Sequence, residues 1–406
     1  SSFGYAPIET PHLELTELLI KETEDDEVGK QLFRFEDNGG RDVCMRFDLT
    51  VPFARYVVQH KNDLGVPFKR YAIGNVFRGE QPQLGRYREF TQCDFDIVGV
   101  KTGSADAEIV QVIAASLKAL GIERFVIRVN NRKVMNGLAL SLGVEEKDTP
   151  EMLRILDKVE KIGPEKVSEQ LQGTLGFTPE VAKELLDFVS LRADSPAALL
   201  SRVSNFKDKG ELLAEGIAEL ESLVAVLSNL SLTRDVFAID FSIARGLGYY
   251  TGIIYETNLL DMPEIGSVCS GGRYDNLTQN YSKDELPGVG ASVGLDRLIA
   301  ALVELKLVET RPSPSEVLCV LMDPSVEMSV HVAAGELRAA GFNVEVYPAV
   351  AKLKKQFQYA DRKSIRYVLV QGEDELKAGT YTIKDMSTGT QQTLTSIEEL
   401  IATLRD

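Results

Sequence analysis

The sequence predicts an α+β protein in which a strand-rich part is interrupted by a helical segment and followed by a small α/β domain. Residues 1–126 mix strand-like runs with a few helical patterns, whereas residues 127–236 carry apolar side chains at i, i+3 and i+4, as amphipathic helices do. Glycine-rich, strand-like sequence returns at residues 237–307. Residues 308–316 contain two prolines and predict a linker, and residues 317–406 alternate short strands with helical patterns.

Length and composition describe an ordinary globular chain. Its 406 residues are 44% hydrophobic and 26% charged, and a chain of this length holds two or three domains at roughly 100–200 residues each. There is no uninterrupted apolar run of about 18 residues, and the first residues lack a basic-then-apolar layout. We therefore expect neither a membrane partner nor a secretory signal, and predict a cytoplasmic protein.

Cysteines and histidines are scattered along the chain, and we expect no structural metal site. No Cys pair and no Cys/His cluster has the spacing of zinc ligands, so the four cysteines are expected to be reduced thiols. The net charge of −16 argues against general affinity for nucleic acid, which needs clustered Lys and Arg. A specific RNA partner met by a local basic patch remains compatible with that charge.

Two strand-like runs within Phe68–Gly99 flank a polar loop, a pattern typical of a long-looped antiparallel hairpin. Because side chains alternate along a strand, one face of the second run carries a row of charged, amide and aromatic residues. The row consists of Arg86, Arg88, Phe90, Gln92, Asp94 and Asp96, adjoined by Arg78 and Glu80. A solvated sheet face would explain it. So would a polyanion site, in which guanidiniums grip phosphates and a carboxylate while Phe90 stacks on a base.

A second candidate row is formed by Arg46, Asp48 and Thr50, which we expect on one face of a strand at period two. Asp48 would hold the ammonium group of a ligand, and Thr50 would add a hydroxyl. An Asp–Thr pair is more often a cap or a turn, which is the alternative interpretation.

Two glycine-rich segments complete the candidates. In Ala244–Gly252, three glycines permit close backbone approach to a ligand beside Arg245 and two tyrosines, although a bulged strand with core tyrosines explains the segment equally well. Gly271–Asp275 is followed by Gly290–Arg297, where small residues ahead of an Arg on a helix allow tight packing beneath a nucleotide. The alternative there is helix–sheet packing with a surface Arg. Since no P-loop sequence is present, phosphate handling must rest on arginines and a divalent metal ion.

Together these segments resemble the class II aminoacyl-tRNA synthetases, and among them the histidyl-tRNA synthetase family. Phe77–Gln92 looks like motif 2 of that class, and Gly290–Arg297 looks like its motif 3. The run Arg245–Tyr250 resembles the histidine-specific signature RGLDYY, and Met45–Tyr56 resembles the amino-acid-binding strand. Near the C-terminus, the stretches at residues 353–362 and 372–379 are similar to the anticodon-binding domain.

The resemblance implies a fold, a reaction and partners. The fold would be an antiparallel sheet with flanking helices, in a catalytic domain made of residues 1–126 and 237–307. Residues 127–236 would form a helical insertion domain, and residues 308–316 would link to an anticodon-binding domain at residues 317–406. The family works as a homodimer that uses ATP with Mg²⁺. It activates histidine to histidyl-adenylate, releases pyrophosphate, and transfers the histidyl group to the 3′ end of tRNA(His).

The resemblance also assigns site residues by motif position. Arg78 and Arg245 would be catalytic, flanking the α-phosphate, and Arg78 would also bridge to the histidine carboxylate. Residues expected to hold ATP are Arg78, Glu80, Arg86, Phe90 and Arg297. Of these, Glu80 would bind the adenine amino group and Phe90 the adenine face. Arg86 and Arg297 would bind the γ-phosphate. Residues expected to hold histidine are Asp48, Thr50, Gln92, Asp96, Arg245, Tyr249 and Tyr250, where Asp96 and Tyr250 bond the two imidazole nitrogens. Gln83 in the motif 2 loop would contact the acceptor end of tRNA.

A basic segment near the C-terminus offers a second RNA contact. Residues 352–366 contain six Lys or Arg side chains against one Asp. Apolar positions at i, i+4 and i+7 would bury one helix face and leave the cations outward. A solvated charged helix is the alternative, but the resemblance favours tRNA contact through Lys354, Lys355 and Arg362.

One position departs from the family pattern, and two other functions remain as alternatives. Gly248 stands where the histidine signature usually has Asp, beside Arg245, and we expect a neighbouring group or water to substitute for the missing carboxylate. A regulatory paralogue of ATP phosphoribosyltransferase generally lacks the anticodon-binding domain and the motif arginines, both of which the sequence suggests here. A module that senses uncharged tRNA without aminoacylating it is the third possibility.

Overall fold

The structure, a computed structural model, describes residues 2–19, 27–244, 248–282, 285–308 and 310–405. The chain divides into two compact units, Ser1–Val308 and Glu309–Asp406. The division falls within the stretch predicted as the linker.

Strands of the first unit are defined here in chain order. Among its described residues they are β1 (Ala6–Pro7), β2 (Leu13–Leu15), β3 (Arg34–Glu36), β4 (Asp42–Met45), β5 (Phe68–Phe77), β6 (Glu89–Val98), β7 (Phe125–Asn131), β8 (Phe237–Ile239), β9 (Ile253–Leu259), β10 (Ser267–Tyr274) and β11 (Gly288–Gly294).

Helices of the first unit follow the same convention. Those in its described ranges are α1 (Thr16–Leu19), α2 (Glu27–Gln31), α3 (Thr50–His60), α4 (Gly103–Ala119), α5 (Arg132–Ser141), α6 (Thr149–Leu156), α7 (Val159–Ile162), α8 (Pro164–Leu175), α9 (Pro179–Val189), α10 (Pro196–Val203), α11 (Glu211–Leu227) and α12 (Leu295–Glu304).

A large sheet organises the first unit. Within the described residues it has the strand order β1-β5-β6-β11-β10-β9-β7-β8, and every neighbouring pair from β5 to β7 is antiparallel. A parallel strand is added at each end, β1 on β5 and β8 on β7. Chain segments far apart in sequence therefore lie side by side, since β6 pairs with β11 although about half of the chain separates them. The antiparallel sheet that the resemblance implies is confirmed.

The two faces of this sheet differ in chemistry because side chains alternate along each strand. On β6, Phe95 and Ile97 join a continuous hydrophobic cluster with apolar residues of α4, such as Ile109 and Ile113. The opposite face of β6 carries Gln92, Asp94 and Asp96. One face is thus packed, and the other is free to build a polar site.

Helices α5 to α11 form the helical segment that the sequence predicts. It begins at Arg132 rather than at Ile127, because β7 continues to Asn131 and belongs to the large sheet. Leu213, Ile217 and Leu220 of α11 lie in the same hydrophobic cluster as the strands. The segment is therefore packed on the sheet domain through a shared core.

The second unit is a small α/β domain. Its described strands are β12 (Val317–Cys319), β13 (Val344–Val346), β14 (Tyr367–Val370), β15 (Tyr381–Asp385) and β16 (Gln391–Leu394), in the order β13-β12-β14-β15-β16. The first three pair in parallel, and the last two add as an antiparallel hairpin. Its described helices are α13 (Glu327–Ala339), α14 (Leu353–Arg362), α15 (Glu373–Ala378) and α16 (Ile397–Arg405).

Candidate active site

A polar cleft lies over the open face of the large sheet. It has a volume of about 980 Å³ and adjoins a smaller cavity of about 100 Å³, with Arg78, Glu80, Arg86, Gln92 and Arg297 lining both. These residues come from the β5–β6 hairpin and from α12, which the antiparallel register brings together. The hairpin predicted from the sequence is present, with Phe77 opposite Glu89 and a loop between them.

Arg78, the first residue after β5, is held by aromatic rings and by backbone. Its Nε donates to the carbonyl oxygen of Phe47 at 3.1 Å. Its guanidinium carbon lies 4.3 Å from the centre of the Phe47 ring and 5.1 Å from the centre of the Phe90 ring. Since cation–π contacts and one hydrogen bond use only part of a guanidinium, donors remain for an anion such as a carboxylate or a phosphate.

Two further arginines approach the same small cavity. Arg86 Nη1 lies 3.6 Å from a carboxylate oxygen of Glu80, and both side chains are partly exposed. Arg297, in the first turn of α12, donates from Nη1 to the carbonyl oxygen of Ser267 at 2.6 Å. Gly85 has φ +66°, and a Cβ there would lie 3.0 Å from the Cα of Arg297, so this turn of the loop comes against α12. The cleft therefore gathers three guanidiniums at one end.

The other end of the cleft is acidic and aromatic. Asp48 is buried, and its Oδ1 accepts hydrogen bonds from the backbone N–H groups of Thr50 at 3.1 Å and Val51 at 2.9 Å. The Tyr249 hydroxyl donates to Asp48 Oδ2 at 3.2 Å. Burial raises the pKa of Asp48, against the lowering effect of these donors and of Arg78. Tyr250 lines the same end and stacks edge-on against Tyr249.

A buried charge cluster forms the floor between the two ends. Arg70 on β5 pairs with Asp96 on β6 at 2.9 Å, and both are almost fully buried. The Tyr274 hydroxyl donates to Asp96 Oδ1 at 2.7 Å. Burial, together with the Asp96 carboxylate, raises the pKa of neighbouring Asp94 to about 7, although Arg70 opposes the shift. Burial likewise raises the pKa of Asp96.

Most of the residues predicted for this site lie together around the cleft. Those that line one or both cavities are Asp48, Thr50, Arg78, Glu80, Gln83, Arg86, Phe90, Gln92, Asp96, Tyr249, Tyr250 and Arg297. Arg245 lies outside the described residues. Gly248, three residues further along the chain, has open space where a Cβ would stand, with no described atom within 4 Å.

One expectation is wrong. Arg46, Asp48 and Thr50 do not share a strand, because β4 ends at Met45 and α3 begins at Thr50. Asp48 instead caps the start of α3 through the two backbone bonds described above, as the alternative interpretation allowed. Arg46 points elsewhere and donates to the carbonyl oxygens of Asn75 and Thr10, each at 2.7 Å. The helix start nevertheless brings Asp48 and Thr50 to the cleft.

Some residues of the cleft were not predicted from the sequence to contact a ligand. Asp94 stood in the charged row but was assigned no contact, and Arg70, on the neighbouring strand, was not noticed. Ser292 on β11 and Asn258 on β9 line the cleft as well. The signal for Asp94 and Arg70 was present, since charged residues at alternate positions of otherwise apolar strands rarely face a core.

The basic helix of the second unit has the predicted orientation. Lys354, Lys355 and Arg362 are exposed on α14, while Ala360 is fully buried. No described acidic side chain forms an ion pair with any of the three cations. Gln356 is also fully buried, which the pattern did not predict, and its amide makes hydrogen bonds to both backbone groups of Leu321 at 2.7–2.8 Å.

The described residues contain no group of three or more His, Cys, Asp or Glu side chains that could hold a metal ion. No described helix combines the length and apolar character that crossing a membrane requires.

Comparison with known proteins agrees with this geometry. Residues 1–298 match the family model described as histidyl-tRNA synthetase, and residues 316–406 match the model described as an anticodon binding domain. A histidine–tRNA ligase of Wolinella succinogenes is 54% identical over 397 residues, which cover 98% of this chain and 89% of that protein. The corresponding protein of Helicobacter hepaticus is 50% identical over 407 residues, covering 100% of this chain and 92% of that one.

A solved structure extends the agreement to the whole fold. Histidyl-tRNA synthetase from Nostoc sp. PCC 7120 superimposes with a TM-score of 0.81 at 36% sequence identity, covering 100% of this chain and 92% of that chain. Family models and relatives together span nearly all of the sequence. The chain belongs to the histidyl-tRNA synthetase family.

Proposed function

We propose that this chain is a histidine–tRNA ligase that activates histidine with ATP and transfers the histidyl group to the 3′ end of tRNA(His). The observation that carries the proposal is the single cleft in which Arg78, Arg86 and Arg297 meet a carboxylate-lined pocket. An amino acid and a nucleoside triphosphate need those two halves side by side, because the carboxylate of the amino acid attacks the α-phosphorus of the nucleotide.

The arginine end would bind ATP. Arg78 would bridge the histidine carboxylate and the α-phosphate, since its contacts with the Phe47 and Phe90 rings hold the guanidinium beside the cleft. Arg86 and Arg297 would hold the γ-phosphate, Glu80 the adenine amino group and Phe90 the adenine face. Fixed cations near the phosphates stabilise the charge that develops in the transition state without reorganising. Arg245 would supply a further cation on the other side of the α-phosphate.

Mg²⁺ would enter with ATP as part of the substrate. This ion prefers phosphate oxygens supplemented by one or two carboxylates, and when bound it neutralises part of the phosphate charge. The carboxylate of Glu256 lines the cleft and is of the chemical type that such an ion accepts.

The acidic end would bind histidine. Asp48, Thr50 and Gln92 would hold the ammonium group, with Tyr249 keeping Asp48 in place through its hydroxyl. Asp96 and Tyr250 would face the imidazole ring. Selectivity then follows from buried polar groups that an incorrect side chain leaves without partners. Most of the rate acceleration would come from holding the two substrates close together, and not from covalent catalysis by the protein.

The tRNA would meet both units. Gln83 in the motif 2 loop lines the cleft where the 3′ end must enter, and α14 of the second unit presents Lys354, Lys355 and Arg362 to solvent. Exposed cations on one helix suit a phosphate backbone even though the whole chain carries a net charge of −16. The homodimer and the cytoplasmic location that the family implies are part of the same proposal, as is the division into catalytic, insertion and anticodon-binding domains.

Histidine-dependent ATP–pyrophosphate exchange tests the first step, and aminoacylation of tRNA(His) tests the second. We expect Arg78→Ala to lower exchange by roughly 100-fold or more, because a charge-assisted contact to the reacting groups is removed. Arg234→Ala, which truncates an exposed arginine paired with the adjacent Asp235, is the matched control and should leave exchange unchanged. A folded wild-type protein without histidine-dependent exchange would refute the proposal.

A further inference from the structure

Asp296, the second residue of α12, joins the start of that helix to β6. Its Oδ2 accepts a hydrogen bond from the backbone N–H of Thr91 at 2.7 Å. The regular pairing of β6 with β11 ends one residue earlier, at Gln92 opposite Gly294. The Asp296 carboxylate therefore supplies an acceptor just beyond the end of the strand pairing. A hydrogen bond to an ionised carboxylate is stronger than one between neutral groups, so this contact is suited to fixing where the helix begins.

The next side chain along the helix, Arg297, reaches the cleft. It lines both cavities, and its Nη1 donates to the carbonyl oxygen of Ser267 at 2.6 Å. Its Cα lies against the turn at Gly85, where an added Cβ would be 3.0 Å away. Because Gly294 has no side chain with which to cap α12, the carboxylate of Asp296 is what ties this first turn to β6. The place of the Arg297 backbone thus depends on Asp296.

The other partner in this contact, Thr91, is held by the β5–β6 hairpin. It lies opposite Asn75, and its hydroxyl donates to Asn75 Oδ1 at 3.0 Å. The amide nitrogen of Asn75 donates in turn to Glu89 at 2.8 Å. Phe90, adjacent to Thr91, is placed by the same strand pairing, opposite Val76. Loss of the Asp296 contact would therefore release the start of α12 and leave the hairpin in place.

We propose that Asp296 is a positioning residue, which sets the place of Arg297 at the γ-phosphate of ATP by holding the first turn of α12 on β6. This inference rests on the proposed function, which assigns Arg297 to that phosphate. Asp296 touches no substrate and acts through Arg297 alone. The adenine site at Phe90 is independent of it, because the hairpin positions that ring.

Electrostatics without positioning predicts the opposite effect on ATP. Asp296 is adjacent in sequence to the γ-phosphate arginine, and a carboxylate near a triphosphate repels it. If removing the carboxylate changed no geometry, ATP would therefore bind more tightly. If Asp296 positions Arg297, ATP binds more weakly. The two explanations differ in the sign of the change in KM for ATP.

ATP–pyrophosphate exchange at varied concentrations of ATP, pyrophosphate and histidine tests the proposal. In Asp296→Ala we expect the KM values for ATP and for pyrophosphate to rise roughly tenfold, as the loss of one charge-assisted hydrogen bond predicts. The KM for histidine should not change. Nor should the inhibition constant of AMP, which has an adenine ring and an α-phosphate but no γ-phosphate. Asp296→Asn should stay close to wild type, because its amide oxygen still accepts the Thr91 N–H.

A double-mutant cycle shows whether Asp296 acts through Arg297. In a protein that already carries Arg297→Ala, adding Asp296→Ala should change the KM for ATP by less than about twofold, because the side chain that Asp296 positions is absent. Glu165→Ala is the matched control, since Glu165 is exposed and is likewise the second residue of its helix, α8. That change should leave every kinetic constant of exchange unaltered.

The outcomes that overturn the two proposals are different. A KM for ATP in Asp296→Ala at or below the wild-type value overturns the role of Asp296 and leaves the proposed function intact. So does a full further rise in the Arg297→Ala background, an equal loss of affinity for ATP, AMP and histidine, or an Asp296→Asn variant as impaired as Asp296→Ala. Absence of histidine-dependent exchange in the folded wild-type protein overturns the proposed function itself.

Discussion

At the scale of single residues, the raised pKa of Asp94 predicts a dependence of stability on pH. Burial and Asp96 raise that pKa to about 7, whereas an unfolded chain has an Asp pKa near 3.9. Between these values the folded protein holds a proton that the unfolded chain has released, so the free energy of unfolding falls as pH rises. The ionised carboxylate costs on the order of 2–4 kcal/mol above pH 7. Asp94→Asn removes the titration and should be stabilised relative to wild type increasingly from pH 5 to pH 8.

Urea unfolding of the substrate-free protein at several pH values measures this difference. The groups that face Asp94 are Asp96 on its own strand, Arg70 on β5 and Asp48 before α3, so the slope belongs to a cluster and not to one isolated carboxyl. A flat difference for Asp94→Asn would contradict the pKa assignment.

Gly290 supports a second residue-scale prediction. A Cβ at this position would come within 2.1 Å of Asp96 Oδ1 and 2.8 Å of the Phe95 carbonyl oxygen. Gly290→Ala must therefore displace the Asp96 carboxylate or the β6–β11 pairing, and we expect a loss of about 1–3 kcal/mol in stability together with a rise of about tenfold in the KM for histidine.

Thermal unfolding and exchange kinetics together check this expectation. Gly173→Ala is the matched control, because Gly173 lies inside α8 with no described atom within 4 Å of a Cβ. That change should stabilise the protein by about 0.5–1 kcal/mol without altering exchange. If Gly290→Ala bound histidine as tightly as wild type, the close contact between Gly290 and Asp96 would not be needed to position the Asp96 carboxylate.

Residue types were more predictable from the sequence than their contacts. Arg78 and Arg86 were identified by their place beside a strand, and their convergence follows from hairpin geometry alone. Asp48 was identified for its charge, yet it sits at a helix start because its side chain satisfies backbone N–H groups at the beginning of α3. Gln356 was missed because a polar side chain becomes buried only where backbone partners from another segment are available.

At the scale of elements, α14 predicts separate effects on the two reaction steps. Its exposed Lys354 and Lys355 have no described ion-pair partner, so they are free to neutralise phosphates. The double variant Lys354→Ala, Lys355→Ala should weaken tRNA binding, raising the KM for tRNA roughly three- to thirtyfold at moderate salt and reducing the salt dependence of that KM. Histidine-dependent exchange without tRNA should not change.

Aminoacylation at two or more salt concentrations measures this effect. The control is the double variant Lys377→Ala, Arg405→Ala, which removes the same charge from α15 and α16 of the same unit. An equal effect from both pairs would mean that only the total charge matters. A fall in exchange would assign the α14 cations to the first step and contradict their proposed role.

Element prediction was accurate where periodicity was strong and failed at short or polar elements. The β5–β6 hairpin and the amphipathic helices between α5 and α11 repeat one pattern over several turns or strand residues. By contrast, β16 has the polar sequence Gln391–Leu394, with three exposed side chains, because an edge strand packs against only one neighbour. The segment before α3 was taken for strand since Arg46, Asp48 and Thr50 alternate by chance with apolar residues.

At the scale of the whole molecule, pairing across the large sheet decides which segments share the cleft. The strand order joins β6 to β11 and β7 to β9, and none of those pairs is adjacent in sequence. Local patterns specify strands but not distant partners, since many registers bury similar apolar faces. Only the several motifs taken in order, through their resemblance to a family, indicated that these segments meet.

The proposed homodimer gives a prediction at this scale. In the small antiparallel sheet β2-β4-β3, one face carries Leu13, Val43 and Phe35, and Leu13 and Phe35 remain 50% and 46% exposed in the single chain. Exposed apolar side chains on one sheet face are suited to burial against a second copy. The double variant Leu13→Asp, Phe35→Asp should weaken self-association at least tenfold, because both charges would require desolvation at the interface.

Sedimentation velocity over a dilution series measures the dissociation constant. Met328→Asp, at a 77% exposed position of α13, is the control and should sediment like wild type. If the double variant kept the wild-type dissociation constant while remaining folded, the dimer would have to use another surface.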